Sequence, residues 1–345
     1  MPKAKPPLVR LSELAPGQAG DFFALLAGDF FALLAERTRG ARRDGKAYYT
    51  CRFRDGPRLA TFMVWSDGPW FEACEKDWRE SEFYKLRGVY SEHPKYGSQI
   101  EITNIRTVVD EDKTEGFEPM QWVDHTRYDV EAMYQDLWDV AETHITDVPL
   151  RRLVLTILER QKTQLKQAPA TQRHFYPFAG GLLEHLVSVT HTCLHLADKY
   201  VGSYPDLHPP LNRDLVVAGA ILHDMGRTVE FNEDMFNVQP TVPGRLFGHL
   251  FLGRDLVRDT ARELGDVNPE LVQLLEHIII THLTLPEWGS PRLPLIPECL
   301  IIHHADDLDA KLEMYMRCLT RDKEPGDFTG RDPVLGRQLY KGRTV

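Results

Sequence analysis

The chain has little that would place it in a membrane or in an oxidising compartment. Its 345 residues contain no apolar run near the roughly 20 residues needed to span a bilayer, and the N-terminus, Met1-Pro-Lys-Ala-Lys-Pro-Pro7, lacks the apolar core of a signal peptide. The five cysteines are isolated in the sequence and form no CxxC pair, which predicts reduced thiols. These absences favour a cytoplasmic protein.

An excess of positive charge is also missing. The formal net charge is −10, whereas proteins that coat nucleic acid nonspecifically are usually basic. Composition is that of an ordinary globular protein, and the length allows two domains with a core each. A nuclease that releases its product needs only a local positive surface for the nucleic acid, and one short basic segment can provide it. The same segment is equally well interpreted as the solvated face of a β-hairpin. The segment contains Arg37, Arg39, Arg42, Arg43, Lys46, Arg52, Arg54 and Arg58.

Residues 20–110 alternate with period two between turn signals, which predicts short strands. Five strands, with a helix near Trp70 to Trp78 between the third and the fourth, match an OB-fold β-barrel. The predicted strands are Phe30 to Arg37, Ala47 to Arg54, Leu59 to Trp65, Phe83 to Tyr90 and Gln99 to Ile105.

The second predicted strand has two different faces. Tyr49, Cys51 and Phe53 share the apolar one. The other face carries Tyr48, Thr50, Arg52 and Arg54, and it combines an aromatic ring with guanidinium groups, as single-strand binding requires. A polar outer sheet surface is the alternative.

The eight residues Gly20 to Ala27 recur unchanged as Gly28 to Ala35. A shift of eight preserves strand parity, so either copy fits the first strand with the same side chains inward. The second copy is contiguous with the basic segment between Arg37 and Arg58, which we call the basic hairpin, and we assign this copy to the barrel. The first copy extends the strand or forms a short helix, and the sequence leaves both open.

Helical spacing replaces the strand pattern after about residue 115. Tyr128 to Ile145 and Leu150 to Leu165 are predicted helices, with Pro149 at a helix start. The irregular stretch Gln167 to Pro177 leads to further helices, which end with Pro297 to Leu319. The chain is therefore predicted to combine a five-stranded β-barrel with an all-α bundle.

Histidine and aspartate recur within the apolar helical stretches of the C-terminal half. An unpaired imidazole or carboxylate in such a stretch would cost several kcal/mol, and convergence on a metal ion removes that cost. Neighbouring side chains at the end of a helix can both reach one cation, and an imidazole beside a carboxylate binds divalent transition metals well. The candidate ligands are His185, His223, Asp224, His249, His282 and Asp306.

The order H, HD, H, H, D resembles the HD-domain phosphohydrolases. The segments Tyr176 to His185, Ala218 to Asp224, Glu287 to Pro291 and Ala305 to Lys311 narrow the resemblance to the YhaM-type 3′ to 5′ exoribonucleases, which also carry an N-terminal OB-fold. The domains expected from it are a tail (1–19), an OB-fold nucleic-acid-binding domain (20–115), a helical connector (116–177), an HD phosphohydrolase domain (178–325) and a C-terminal tail (326–345).

The resemblance implies a two-metal phosphodiesterase. His185, His223, Asp224 and Asp306 would hold the first cation, and His249 and His282 the second, with Asp224 bridging. Two cations roughly 3.5 to 4 Å apart can activate a hydroxide and stabilise the leaving oxygen. Mixed imidazole and carboxylate ligands suit Mn²⁺, Fe²⁺ or Co²⁺ better than Mg²⁺, and Mn²⁺ is expected.

The chain departs from the family at two positions. Thr281-His282-Leu283 stands where the family commonly has Ser-His-His, and Arg227 stands where HD proteins often have lysine. Arginine can grip a phosphate through two donors but cannot serve as a general acid. Arg227 and Lys311 are expected to contact phosphate, Arg245 more weakly, and Trp288 either stacks the terminal base or closes the core.

The expected partners are single-stranded RNA or DNA, without a membrane, and a homo-oligomer is left open. Two other functions use the same features: an HD-domain phosphohydrolase of nucleotides or cyclic nucleotides, and a nucleic-acid-binding protein with an inactive HD domain. The barrel and its basic hairpin disfavour the first, and the full ligand set disfavours the second. A structural metal is least expected, since such sites favour closed Cys and His sets.

Overall fold

The computed structural model describes residues 28–56, 58–93, 97–115, 117–234 and 238–342. The chain divides into two compact units, Met1–His125 and Thr126–Val345. None of the helices within these described ranges is long and apolar enough to cross a membrane. The first copy of the eight-residue repeat, Gly20 to Ala27, lies outside the described residues.

The first unit is a closed barrel with the strand order β1-β2-β3-β5-β4. Neighbouring strands are antiparallel except β3 and β5, which are parallel, and β1 pairs with both β2 and β4. This order is that of an OB-fold, and all five predicted strands and the intervening helix are confirmed. The elements are β1 Gly28–Ala41, β2 Ala47–Asp55, β3 Arg58–Trp65, α1 Phe71–Lys76, β4 Phe83–His93 and β5 Gly97–Thr107, followed by 3-10 turns at Asp110–Glu115 and Pro119–Trp122.

The second copy of the repeat closes the barrel, as predicted. The N-terminal part of β1 pairs with β4 and its C-terminal part with β2, with a register shift between Leu34 and Glu36. An extra residue in a strand bends it, which lets one long strand serve both edges. On β2, Tyr49, Cys51 and Phe53 are buried, so the predicted inner face is confirmed.

The second unit is a helical bundle around one apolar core. Helices α2 (Val130–His144) and α3 (Val148–Gln167), which precede His185 in the chain, contribute Leu137 and Leu158 to the same core as Leu186 and Ile302. The predicted start of α3 at Pro149 is confirmed. The helices are α2 Val130–His144, α3 Val148–Gln167, α4 Gly181–Ser203, α5 Arg213–Leu222, α6 Arg227–Glu230, α7 Val242–Leu264, α8 Pro269–Thr281 and α9 Pro297–Arg321, with a 3-10 turn at Pro286–Trp288.

Candidate metal centre

Six polar side chains from different helices converge inside the bundle. They are the six predicted ligands: His185 near the start of α4, His223 and Asp224 just after α5, His249 in α7, His282 just after α8, and Asp306 within α9.

One part of this cluster is centred on His185. Its Nε2 lies 3.3 Å from Oδ1 of Asp306 and 3.3 Å from Nε2 of His223. A carboxylate oxygen of Asp224 lies 4.0 Å away. His185 and His223 are fully buried and Asp306 is 5% exposed, so these atoms face one another without bulk water between them.

The other part is centred on Asp224. Its Oδ1 lies 3.2 Å from Nε2 of His249 and 3.7 Å from Nε2 of His282. All three of these atoms are buried without a hydrogen-bond partner. A buried polar atom left unpaired is costly, and three such atoms aimed at one point are what a bound cation would satisfy. The donor set therefore fits a divalent metal ion.

The hydrogen bonds of the histidine rings direct their lone pairs toward the centre. Nδ1 of His223 lies 2.8 Å from the carbonyl oxygen of Ala220, and Nδ1 of His282 lies 2.8 Å from that of Ile279. A carbonyl accepts only, so each Nδ1 carries a proton, and Nε2 is the ring nitrogen that can ligate a metal. Ring nitrogens fixed in this way are typical of metal ligands.

The charges of the cluster suit a cation as well. Burial alone would raise the pKa of Asp224, but Arg227 and His249 outweigh it and hold the pKa well below its usual value. The hydrogen bond from His185 overcomes burial at Asp306, whose pKa falls to about 2. Burial lowers the pKa of His223 to about 4. At neutral pH both carboxylates are ionised and His223 is neutral, as metal ligation requires. At His185 burial alone would lower the pKa, but Asp306 and Asp309 outweigh it and raise the pKa to about 10, so a cation bound by this imidazole would displace a proton.

Two glycines bring His249 to Asp224. Gly248 has a φ of 70° and a ψ of 167°, which kinks α7 immediately before His249. A Cβ on Gly226 would lie 2.0 Å from the carbonyl oxygen of His249. Only glycine allows the turn after α5 to approach the backbone of α7 so closely.

The cluster divides into two overlapping groups whose ligand atoms lie within 4.8 Å of one another. One group is His185, His223 and Asp306, and the other is His223, Asp224 and His282. The expected division, with Asp224 bridging and His249 beside His282, stays a prediction.

Asp309 is a site residue that the sequence reasoning missed. Its Oδ2 lies 2.8 Å from Nδ1 of His185, and its Oδ1 accepts from the hydroxyls of Ser188 at 2.5 Å and Tyr176 at 3.3 Å. Tyr176 has a positive φ of 42°, a backbone conformation that an L-residue adopts at a cost. Asp309 therefore orients His185. Its position three residues after Asp306 places both on one face of α9, a signal that the sequence contained.

Replacing Asp309 with alanine should lower the affinity for Mn²⁺ about 10- to 100-fold, the usual effect of losing a carboxylate behind a ligating histidine. Asp309→Asn should lose less, because its amide oxygen can still accept from Nδ1. Calorimetric titration of the metal-free variants checks both. Equal affinity in Asp309→Ala and the unmodified chain would show that His185 needs no such support.

Arg227 also holds ligands in place. Its Nε donates to Oδ2 of Asp224 at 2.6 Å, and its Nη1 lies 3.4 Å from a carboxylate oxygen of Glu230. The guanidinium carbon lies 5.7 Å from the ring centroid of Phe175. Glu230, a second residue that was missed, also lies 3.7 Å from Nδ1 of His249. The structure thus supports a positioning role for Arg227, and the phosphate contact stays a prediction.

Arg227→Ala should lose about 2 to 4 kcal/mol of transition-state stabilisation, the scale of one removed electrostatic donor. Arg227→Lys should fall between this variant and the unmodified chain, because an ammonium retains the charge but cannot match the planar fork that spans two carboxylates. The ratio kcat/KM on a short oligonucleotide measures both losses. Full activity in Arg227→Lys would mean that charge alone matters at this position.

Lys311 and Trp288 lie together on the bundle. The Lys311 ammonium is 5.9 Å from the Trp288 ring centroid and 2.7 Å from a carboxylate oxygen of Asp307. Trp288 is 49% exposed, so its ring does not close the core. His303 lies beside it, at 6.2 Å between centroids, and its Nδ1 bonds the carbonyl of His282. An exposed aromatic ring next to an ammonium group is suited to stack a nucleotide base and to neutralise its phosphate.

Arg245, the weaker candidate for a phosphate contact, is exposed in the first turn of α7.

The predicted basic track is only partly available for a ligand. Arg37 donates from Nη1 to the carbonyl oxygens of Cys74 at 2.5 Å and Trp78 at 2.8 Å. Its guanidinium therefore satisfies backbone carbonyl groups at the C-terminal end of α1. Arg52 pairs with Glu36 at 2.8 Å. These contacts are internal to the barrel, and the role of both residues in nucleic-acid binding stays a prediction.

The remaining track residues differ in environment. Burial lowers the pKa of Arg54, against the attraction of Asp124, so Arg54 is not a freely solvated cation. Arg39 lies 3.6 Å from Glu75, and Arg43 is exposed. The side chain of Arg58 lies outside the described part.

Tyr48, Trp65 and Arg42 form an aromatic and cationic group on the barrel. The Arg42 guanidinium lies 4.3 Å from the Trp65 ring centroid, and the Tyr48 and Trp65 centroids are 5.4 Å apart. Tyr48 covers the backbone of Gly40, where a Cβ would lie 2.5 Å from its ring. Such a combination resembles the stacking surfaces that bind single strands.

The chain is similar to one protein family and to several known proteins. The HD domain family matches residues 182–311, a range that contains all six candidate ligands. The 3′-5′ exoribonuclease YhaM of Bacillus pumilus (strain SAFR-032) is 29% identical over 306 residues, which cover 88% of this chain and 91% of that protein. The second OB-fold domain of replication protein A from Methanococcus maripaludis matches 29% of this chain and 94% of that structure, at 16% identity and a TM-score of 0.21.

Proposed function

We propose that this chain, an HD-domain protein related to the YhaM-type exoribonucleases, is a metal-dependent 3′ to 5′ exoribonuclease of single-stranded RNA. The observation that carries the proposal is the set of buried, unpaired atoms on Asp224, His249 and His282, inside the range that matches the HD domain. The Bacillus relative is named a 3′-5′ exoribonuclease, and we take the reaction and its direction from that name.

Six residues would hold two divalent cations, for which Mn²⁺ suits the mixed donor set best. Bound cations of this kind supply Lewis-acid polarisation of a phosphodiester and lower the pKa of an attacking water. The protein's own contribution is to fix the ligands before substrate arrives. Asp309 orients His185, and Arg227 holds Oδ2 of Asp224 while Oδ1 remains directed at the centre. The ligands are His185, His223, Asp224, His249, His282 and Asp306.

The substrate would be held by both units. In the bundle, Trp288 would stack the terminal base while Lys311 neutralises a phosphate next to it. In the barrel, Tyr48, Trp65 and Arg42 would stack and neutralise nucleotides farther from the cleaved bond, with Arg43 adding charge. We propose RNA and not DNA as the substrate because the Bacillus relative is named an exoribonuclease.

End-labelled oligonucleotides test the proposed direction. With Mn²⁺, single-stranded RNA labelled at its 5′ end should give a ladder of progressively shorter labelled products. The same RNA labelled at its 3′ end should release labelled mononucleotide at once. Single-stranded DNA of the same sequence, and Mg²⁺ in place of Mn²⁺, complete the comparison. Turnover of cyclic dinucleotides or nucleotides, with RNA left intact, would favour the nucleotide phosphohydrolase instead.

Replacing Arg42, Arg43, Arg52 and Arg54 with alanine should weaken binding of long single strands and flatten their salt dependence. The slope of log K against log salt should fall by about 0.7 for each phosphate that the variant no longer neutralises. Turnover of dinucleotides should stay nearly unchanged, because the metal ligands are intact. Filter binding at several salt concentrations and a dinucleotide assay provide both measurements.

Because Arg52 pairs with Glu36 and Arg54 is attracted to Asp124, the double variant Arg42→Ala, Arg43→Ala is the cleaner form of the test. Lys76→Ala with Lys113→Ala removes the same charge from exposed side chains outside the hairpin and serves as its control. An equal fall in affinity in both double variants would mean that net charge alone, and not the hairpin, controls binding.

A further inference from the structure

Two of the five cysteines lie together in space although they are 23 residues apart in the chain. Sγ of Cys51 on β2 and Sγ of Cys74 on α1 are 3.5 Å from each other in the core of the barrel. Both side chains are fully buried. A disulfide bond measures about 2.05 Å, so the sulfurs must close by only about 1.5 Å.

The surroundings of the pair make the two sulfurs unequal. The Arg37 guanidinium, which donates to the carbonyl oxygen of Cys74, favours negative charge nearby. The hydrogen bond between the two thiols, in which either sulfur can donate, and the nearby Arg37 lower the pKa of the Cys74 thiol, whereas the same bond and burial raise the pKa of the Cys51 thiol. Because the Arg37 guanidinium is held at 2.5 Å from the carbonyl oxygen of Cys74, Cys74 is the better placed of the two to act as the attacking thiolate, and Cys51 is the thiol that would resolve a first oxidation product.

We propose that Cys51 and Cys74 are a redox-modified pair that peroxide converts into a disulfide within the barrel. The geometry points to peroxide as the class of oxidant, because a fully buried pair admits a small uncharged molecule more readily than glutathione or a protein thiol.

The reaction balances in two steps. The Cys74 thiolate attacks one peroxide oxygen, the O–O bond breaks, and hydroxide leaves and takes up a proton to become water, which leaves a sulfenic acid. The Cys51 sulfur then attacks the Cys74 sulfur and loses its proton, and the sulfenic oxygen departs as a second water. Two thiols are oxidised by two electrons in all, and the two oxygens of one hydrogen peroxide are reduced to two waters.

Mapping of the full-length chain tests the proposal. After treatment with hydrogen peroxide and denaturation, maleimide should label three thiols where the untreated chain has five. A proteolytic map should contain the peptide of Cys51 joined to that of Cys74, with two hydrogens removed. Oxidation of other thiols first, sulfinic acid without cross-linking, or five intact thiols would each overturn the proposal.

Variants separate the roles of the two sulfurs. Cys74→Ser should abolish the cross-link and leave Cys51 as a thiol, whereas Cys318→Ser, a change outside the barrel, should retain the cross-link. Cys51→Ser should trap a sulfenic acid on Cys74 that dimedone captures. Dimedone capture on Cys51 in the Cys74→Ser variant would reverse the assignment. If the barrel variants do not fold, the map of the unmodified chain still decides.

Discussion

Asp224→Ala should abolish hydrolysis, with a loss in kcat of about a thousandfold or more, while the chain stays folded. Asp224 is the carboxylate that faces His185, His249 and His282 at 4.0 Å or less. In the proposed centre its removal would take away a shared ligand. A metal centre supplies several kcal/mol of transition-state stabilisation, and each 1.36 kcal/mol corresponds to a factor of about ten in rate.

Metal content separates this effect from general damage. The Asp224→Ala chain should retain its circular dichroism spectrum but bind less Mn²⁺ by elemental analysis. Asp224→Asn, which preserves the shape of the side chain, should be nearly as inactive, because it removes the negative charge. Asp259→Asn, in an exposed carboxylate of α7, is the control and should behave like the unmodified chain. Near-normal activity in Asp224→Asn would show that the carboxylate is not a ligand.

His282→Ala should be almost as severe. Its buried Nε2 has no hydrogen-bond partner and faces carboxylate oxygens of Asp224 at 3.7 Å and Asp306 at 3.9 Å. The next residue is Leu283, which cannot replace an imidazole. Single-turnover rates at saturating Mn²⁺ measure the loss, which should exceed about a hundredfold, as expected for one electrostatic group at a reacting phosphate.

His277→Ala is the matched control on the same helix. Its Nε2 accepts from the backbone N–H of Leu295 at 3.0 Å, a contact that is structural. The substitution should affect stability and leave the rate with Mn²⁺ nearly unchanged. An equal loss of activity in His277→Ala and His282→Ala would mean that the centre depends on the conformation at the end of α8 and not on the imidazole of His282.

The barrel could be predicted from the sequence because its signals are local. Alternation of apolar and polar residues located the β2 face of Tyr49, Cys51 and Phe53, and turn residues marked the strand ends. The second copy of the repeat fits β1 because a shift of eight residues keeps the same side chains on the same face of the strand. The strand β1 begins at Gly28, and the first copy, Gly20 to Ala27, lies outside the described residues, so its role stays open as it was from the sequence.

The convergence of the six candidate ligands could be predicted because polar side chains in apolar helices are unusual, but the residues that hold these side chains in place could not. Three acidic residues, Asp306, Asp307 and Asp309, lie within four positions of α9, and only tertiary packing decides that Asp309 meets His185 while Asp307 pairs with Lys311. The contact of Arg37 with the carbonyl oxygens of Cys74 and Trp78, at the end of α1, likewise joins residues far apart in the sequence and could not be predicted from it.

The measurement that tests the metal centre most directly is a titration of the metal-free chain with Mn²⁺, followed by electron paramagnetic resonance and by the rate of RNA hydrolysis on the same samples. We expect two Mn²⁺ per chain, with activity returning in step with binding. Asp224→Asn, titrated in parallel, should bind fewer ions and stay inactive. Full activity in the metal-free chain, or equal Mn²⁺ binding by the unmodified chain and Asp224→Asn, would contradict the account.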